Sequence, residues 1–186
     1  MNTRRSFLAK LGIAPFLFTG TSKFLEAKNN FIENKKVKKP IVISTWDINL
    51  LANETAWNVL TKDGRALDAV ENGVKVAEAD AKNQSVGYGG LPDRDGNVTL
   101  DACIMDKNAN CGAVAYLQNI KHPISVARLV MEKTPHILLV GDGALRFALE
   151  NGFKKENLLT NEIKIKWKKW LKENKYKPFL QDKDNH

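Results

Sequence analysis

The sequence is poor in the residues from which most linear active-site motifs are built. It has two cysteines and three histidines among 186 residues. His122, His136 and His186 lie far apart and none adjoins a cysteine pair, so no metal-ligand spacing is present. There is no G-x-S-x-G, no H-E-x-x-H and no P-loop, which removes the usual signatures of serine hydrolases, zinc proteases and P-loop nucleotide enzymes. No internal repeat or low-complexity tract is visible. The one apolar stretch near a terminus, within MNTRRSFLAKLGIAPFLFTGTS, is interrupted by Lys10, Gly12 and Pro15, too broken for a stable membrane span.

What is present is enough for one domain with a core, since hydrophobic residues make up 43% of the chain. The net charge of +8 invites a nucleic-acid reading, but it is unevenly placed. Residues 1–39 hold nine Lys/Arg against two Glu, and residues 151–186 hold ten basic against five acidic side chains. Residues 40–150 hold ten basic against fourteen acidic. The body is therefore acidic and the basicity sits at the ends, which argues against a nucleic-acid partner for the folded domain.

Residues 1–27 read as an export signal. Arg4-Arg5 followed by SFLAK resembles a twin-arginine signal, with cleavage near Ala27 and a periplasmic destination; an ordinary Sec signal or an uncleaved anchor is the plainer alternative. Residues 28–39 form a polar, basic linker.

Pro40–Thr45, PIVIST, predicts a buried strand. Asn53 caps a helix that starts near Glu54 and closes at Gly64. Leu67, Val70, Val74 and Ala77 recur at helical spacing and predict a second helix that packs on something apolar. A long irregular loop follows, then strands VTLDACIMD and CGAVAYLQ around a turn at Asp106–Asn110. A helix opens at Pro123 and stops before Pro135. HILLVG predicts another buried strand, and DGALRFALENG a short helix ended by Gly152. NEIKIKWKKWLKEN predicts a helix with Ile163, Trp167, Trp170 and Leu171 on one face. Its lysines admit a membrane-surface helix, but two tryptophans packed on the domain explain it more simply. The order gives an α/β or α+β chain with about four strands, few for a closed domain.

Chemistry-bearing residues each have a bland explanation. Cys103 and Cys111 could form a disulfide if the hairpin register pairs them, or remain buried thiols. His122 and His136 flank one helix and could act as bases, but capping or surface positions suit them better. Asp93, Arg94 and Asp95 are turn residues beside Gly96. Asp101 would need partners if buried. The glycines of GDGAL at Gly141 could bind an anion, but a tight strand–helix turn accounts for them. The stretch GYGGLPDRDGNVTLDACIMD, from Gly87 to Asp106, concentrates glycines and turn residues as if to hold a backbone close to something.

Four ordered segments carry a family likeness: STWDINLLANETAWNVLTKDGRALDAVENGV, SVGYGGLPDRDGNVTLDACIMD, HPISVARLVMEKTPHILLVGDGALRFALENGF and the closing DNH. Together they resemble the N-terminal, α-chain half of the glycosylasparaginase family, in the asparaginase-2 branch of the N-terminal nucleophile hydrolases. The resemblance covers nearly all of residues 40–186. It implies a four-layer αββα sandwich made as one precursor that cuts itself before a threonine. That threonine opens the β chain and acts as nucleophile, its own α-amine serving as base because such an amine has a pKa near neutrality. It implies cleavage of the N-acetylglucosamine–asparagine amide to aspartate and the sugar amine, or, as an alternative, action on asparagine or β-aspartyl peptides. No metal or organic cofactor is implied. The partners implied are a β chain with an N-terminal Thr, a glycoasparagine substrate and an α2β2-type assembly. Trp46 matches the tryptophan that lines the family's substrate pocket, and Gly87–Gly90 with Val98–Asp106 matches framework near the cut site. No catalytic residue is assigned here, because the nucleophile would lie past His186. By the same likeness the 186 residues alone should be inert and poorly stable, with strands unpaired; a non-catalytic remnant is the competing expectation.

Overall fold

The computed structural model describes residues 40–46 and 50–173. The expected export signal at 1–27, the linker at 28–39 and the closing DNH lie outside the described residues. In chain order the elements are α1 (Leu50–Leu60), α2 (Ala66–Ala79), β1 (Thr99–Met105), β2 (Cys111–Gln118), α3 (Pro123–Lys133), β3 (Leu138–Val140), α4 (Gly141–Glu150) and α5 (Asn161–Glu173).

α1 and α2 form a tight pair because small residues line their seam. Ala52, Ala56, Ala69 and Gly73 are buried. A Cβ on Gly73 would sit 2.9 Å from the Ala52 carbonyl oxygen. α1 starts four residues earlier than Asn53 suggests. Asn53 lies inside it, and its side-chain oxygen accepts a hydrogen bond from Ser44, tying the extended segment before the helix to it. At the far end Asp63, not Gly64, takes the left-handed turn, with φ 59°. The Asp63 N–H then reaches the Leu60 carbonyl at 3.2 Å and the Gly64 N–H the Val59 carbonyl at 2.9 Å, the paired bonds of a Schellman cap. Gly64 is still needed, since a Cβ there would lie 2.4 Å from the Val59 side chain.

The sheet has three strands in the order β1-β2-β3, with β1–β2 antiparallel and β2–β3 parallel. The register is irregular between Leu100 and Ala102, where Leu100 faces Leu117 but Ala102 faces Val114. One extra residue therefore sits on β2, a bulge. Tyr116 absorbs it with φ 52°, and its N–H is satisfied by the Asp101 carboxylate at 2.8 Å. The bulge lets both Val114 and Leu117 point into the core, which strict alternation would forbid.

One face of this sheet is covered. Val126, Ala127 and Val130 of α3 and Ala144 and Ala148 of α4 are fully buried against Ile104, Val114 and Leu117. Gly112 lets α3 approach, because a Cβ there would lie 2.2 Å from the Ala127 carbonyl oxygen. The other face is open: Cys103 and Met105 of β1 and Leu138 and Val140 of β3 are exposed. The expected buried strand HILLVG is thus a short edge strand with an exposed apolar side. The expected buried strand at Pro40–Thr45 is also corrected. The segment is extended but belongs to no strand, and Ile43 is 85% exposed, because no described strand pairs with it.

Two turns share one design. Asp93 accepts the N–H groups of Asp95 and Asn97 at 2.9 and 2.8 Å, and Asp106 accepts those of Asn108 and Asn110 at 2.8 and 2.9 Å. Each has a left-handed fourth residue, Gly96 in the first and Ala109 in the second. Ala109 carries a Cβ in a conformation that only glycine adopts freely. Ala109→Gly is expected to stabilise the chain by roughly 0.5–1 kcal/mol, after the extra freedom of the unfolded chain is offset, as read from the urea midpoint. A lower midpoint would contradict it.

α5 seats through Ile163, which is buried, and Trp167. The Trp167 indole donates to the Arg94 carbonyl at 3.2 Å and lies on Gly96, where a Cβ would meet the ring at 2.9 Å. One tryptophan, not the expected two, packs on the domain: Trp170 and Leu171 are exposed. No helix among the described residues is long and apolar enough to cross a membrane.

Candidate functional site

The backbone that the Gly87–Gly90 turn approaches belongs to the end of α2. The Tyr88 N–H donates to the Glu78 carbonyl at 2.8 Å, and the Gly89 N–H donates to the Leu158 carbonyl at 2.9 Å. Gly87 and Gly89 both have positive φ; a Cβ on Gly87 would run into Glu78 of α2, and one on Gly89 into Ala81 just beyond the helix. The turn therefore locks the last turn of α2 to the segment under Val98 and Leu100, where Leu158 is buried.

Beside this lock lies a cleft of about 600 Å³. Its walls are the Ile41–Ser44 segment, the facing sides of α1 and α2, and β1 from Thr99 to Cys103; Glu78 and Ile124 close one end. Val70 and Val74, expected to pack their helix on something apolar, instead line this cleft and stay half exposed.

Trp46 lies two residues past the Ile41–Ser44 wall and is 69% exposed, so its indole presents a bare apolar face rather than a packed one. Cys103 and Cys111 do not face each other. Cys103 stands opposite Ala113, and Cys111 opposite Met105. Such diagonal neighbours lie about 7–8 Å apart, beyond the Cα span of a disulfide. Both are free thiols, and they are on the open side of the sheet rather than buried.

His122 and His136 stand at opposite ends of α3 and are not brought together. The His136 N–H is held by the Thr134 hydroxyl at 3.0 Å in the turn after the helix. His122 precedes Pro123 but makes no side-chain cap. Its Nδ1 lies 3.1 Å from Glu78 Oε2. Burial, with Lys75 and Lys121 nearby, lowers the pKa of His122. Burial pushes the Glu78 carboxyl up to about 7, against the Ile124 N–H that favours its charged form. Sequence reasoning missed Glu78. The signal was its place four residues after Val74, on the apolar stripe of α2. Asp101 is exposed, and its partner is the Tyr116 N–H of the bulge. Gly141 opens α4 with φ 54° directly after β3, a strand–helix turn. Among the described residues no group of three His, Cys, Asp or Glu could hold a metal ion.

These features define a class: a mixed α/β chain with, among the described residues, one sheet face clothed by helices, the other bare, and a cleft along β1. Residues 29–185 match the model of the Asparaginase_2 family, described as asparaginase, and the chain belongs to that family. It is 60% identical over 187 residues to the N(4)-(Beta-N-acetylglucosaminyl)-L-asparaginase of Elizabethkingia miricola, a match covering 100% of this chain and 54% of that protein. It is 47% identical over 136 residues to the enzyme of the same name from Rattus norvegicus, covering 73% of this chain and 39% of that one. A putative Drosophila melanogaster homologue is 44% identical over 140 residues, 73% of this chain and 35% of its own length. The chain thus spans about half the length or less of these relatives.

Proposed function

We propose that the chain is the N-terminal portion of an amidohydrolase that cleaves the amide between N-acetylglucosamine and asparagine, releasing aspartate and the sugar amine. The observation that carries this reading is the 60% identity to a relative of that name across the whole chain. In this reading the nucleophile is a threonine at the start of a complementary half. Its hydroxyl attacks the side-chain amide carbon while its own α-amine takes the proton, so that no separate base is required of this chain. An ester to the threonine forms as the sugar amine leaves, and water then releases aspartate.

The present chain supplies scaffold and pocket wall. The bare sheet face, with Cys103, Met105, Leu138 and Val140, is the surface against which a second sheet would pack to give a four-layer αββα sandwich. Trp46, exposed here, would line the substrate pocket once the halves meet. An α2β2-type assembly and export by the Arg4-Arg5 signal belong to the same proposal.

The test is complementation. The chain is co-produced with the C-terminal half of the Elizabethkingia miricola relative, starting at its threonine, and the purified complex is given N-acetylglucosaminyl-asparagine, asparagine and a β-aspartyl dipeptide. Release of aspartate from the glycosylated substrate, with a several-fold higher KM in Trp46→Ala, is expected. An assembled complex that acts only on asparagine or the dipeptide, or on none, overturns the assignment.

A further inference from the structure

Glu78 is the one charged residue that is fully buried among the described residues, 2% exposed. Three pieces of chain meet on it. Its carbonyl holds the Tyr88 N–H, and the Gly87 turn rests on its backbone. Its Oε1 accepts the Ile124 N–H at 3.0 Å, one of the donors that the first turn of α3 cannot pair internally. Its Oε2 faces His122 Nδ1. Glu71 and Lys75 face the carboxyl from α2 itself, while Lys75, Lys121, Glu156 and Glu71 surround the imidazole.

We propose that Glu78 and His122 form a one-proton joint: the folded chain keeps a single proton between the two side chains, and that proton holds α2, the Gly87 turn and α3 together. With one proton the pair is neutral overall, whichever atom carries it. With none, a buried carboxylate has only uncharged donors. With two, a cation lies beside a protonated acid. Both alternatives place uncompensated charge out of water.

The directions in which the two groups shift fit this arrangement. In the unfolded chain, between the ordinary values of 4.5 for the carboxyl and 6.5 for the imidazole, the pair also holds one proton, on His122. The folded pair holds one as well, so it adds no pH dependence to stability in that window. Below 4.5 the unfolded chain takes a second proton that the folded pair refuses, and stability falls with acid. Above 6.5 the unfolded chain has lost both while the folded pair keeps one until about 7, so stability falls slightly as pH rises.

Removing either partner should expose opposite slopes. In Glu78→Gln the part-buried imidazole, beside Lys75 and Lys121, resists protonation that the unfolded chain accepts, so stability falls as pH drops below 6.5. In His122→Asn the buried carboxyl resists ionisation, so stability falls as pH rises from 4.5 to 6.5. The double variant should track the wild type. The experiment is urea unfolding of the full chain in pH steps across the window, each variant referred to the wild type so that other groups cancel. The unfolding constant should drift in opposite directions in the two single variants, approaching about tenfold per pH unit in His122→Asn, where the Glu78 carboxyl stands at about 7. Single variants that run parallel to the wild type, or tilt the same way, overturn the joint. Should a variant be too unstable to melt, NMR of the wild type decides. One shared step of the Glu78 carboxyl carbon and the His122 ring near pH 7 upholds the joint; separate steps near their ordinary values refute it.

Discussion

Gly87→Ala is expected to cost about 4 kcal/mol or more, enough to remove most of the stability of an ordinary domain. Two effects add. Gly87 has φ 63°, a region that costs a residue bearing a Cβ about 1–2 kcal/mol. The new Cβ would also lie 2.1 Å from the Glu78 carbonyl oxygen and 2.5 Å from its Cα. Both are backbone atoms of α2, so no side-chain rotation relieves the clash. Moving the turn away would break the Tyr88 and Gly89 hydrogen bonds that fasten α2 to the Leu158 segment. Gly143→Ala is the control. Its Cβ would meet nothing within 4 Å in the first turn of α4, and it should gain about 0.5–1 kcal/mol from helix propensity. Urea melts of the two variants against the wild type check this; a loss under 1 kcal/mol in Gly87→Ala would show that the turn does not rest on α2.

Local punctuation was legible in the sequence and partnership was not. Pro123 and Pro135 bracket α3 as expected, and the Asp106–Asn110 turn sets the β1–β2 hairpin. The two strands expected to be buried, Pro40–Thr45 and HILLVG, fail for one reason. A β-branched apolar run records how much surface a segment can bury, not whether a partner lies within the same stretch of chain. Ile43 and Val140 are apolar and exposed because the sheet among the described residues stops at three strands. The bulge at Tyr116 left no trace, since tyrosine is a poor choice for positive φ and alternation alone would have turned Leu117 outward. Glu78 was hidden by its type: a glutamate in a helix reads as a solvated side chain until its place on the apolar stripe is weighed. Trp46 stood out only through the family likeness, because nothing in its own spacing separates a pocket wall from a packing tryptophan.

Arg128→Ala is expected to cost about 2–3 kcal/mol, because one guanidinium fastens α2 to α3 through three carboxylates. Arg128 Nη1 meets Asp68 at 2.7 Å and Glu71 at 2.6 Å, while its Nε meets Glu132 at 2.8 Å. The Ser125 hydroxyl donates to the other oxygen of Glu71 at 2.5 Å. The Arg128 side chain is 13% exposed, so this is no solvent-screened surface pair, which would contribute about 0–1 kcal/mol. Burial alone would lower the guanidinium's pKa, but the hydrogen bonds it donates to Glu132, Asp68 and Glu71 raise it on balance. Removal leaves Asp68 with the Arg65 fork and Glu71 with the uncharged Ser125 hydroxyl. Arg128→Lys should recover less than half, since a compact ammonium cannot present the planar fork. Arg65 and Arg128 hold the Asp68 carboxyl down to about 2, below its ordinary 3.8. Its share of the stability is therefore present above pH 3.8 and lost as pH falls through about 2. The gap between wild type and Arg128→Ala should be steady near neutrality and narrow in acid. Adding Glu71→Gln to Arg128→Ala should restore part of the loss, because it removes a charge that has lost its cationic partner. A single variant within 0.5 kcal/mol of the wild type would mean that α2 is positioned by its seam with α1, the Gly87 lock and Glu78, without help from Arg128.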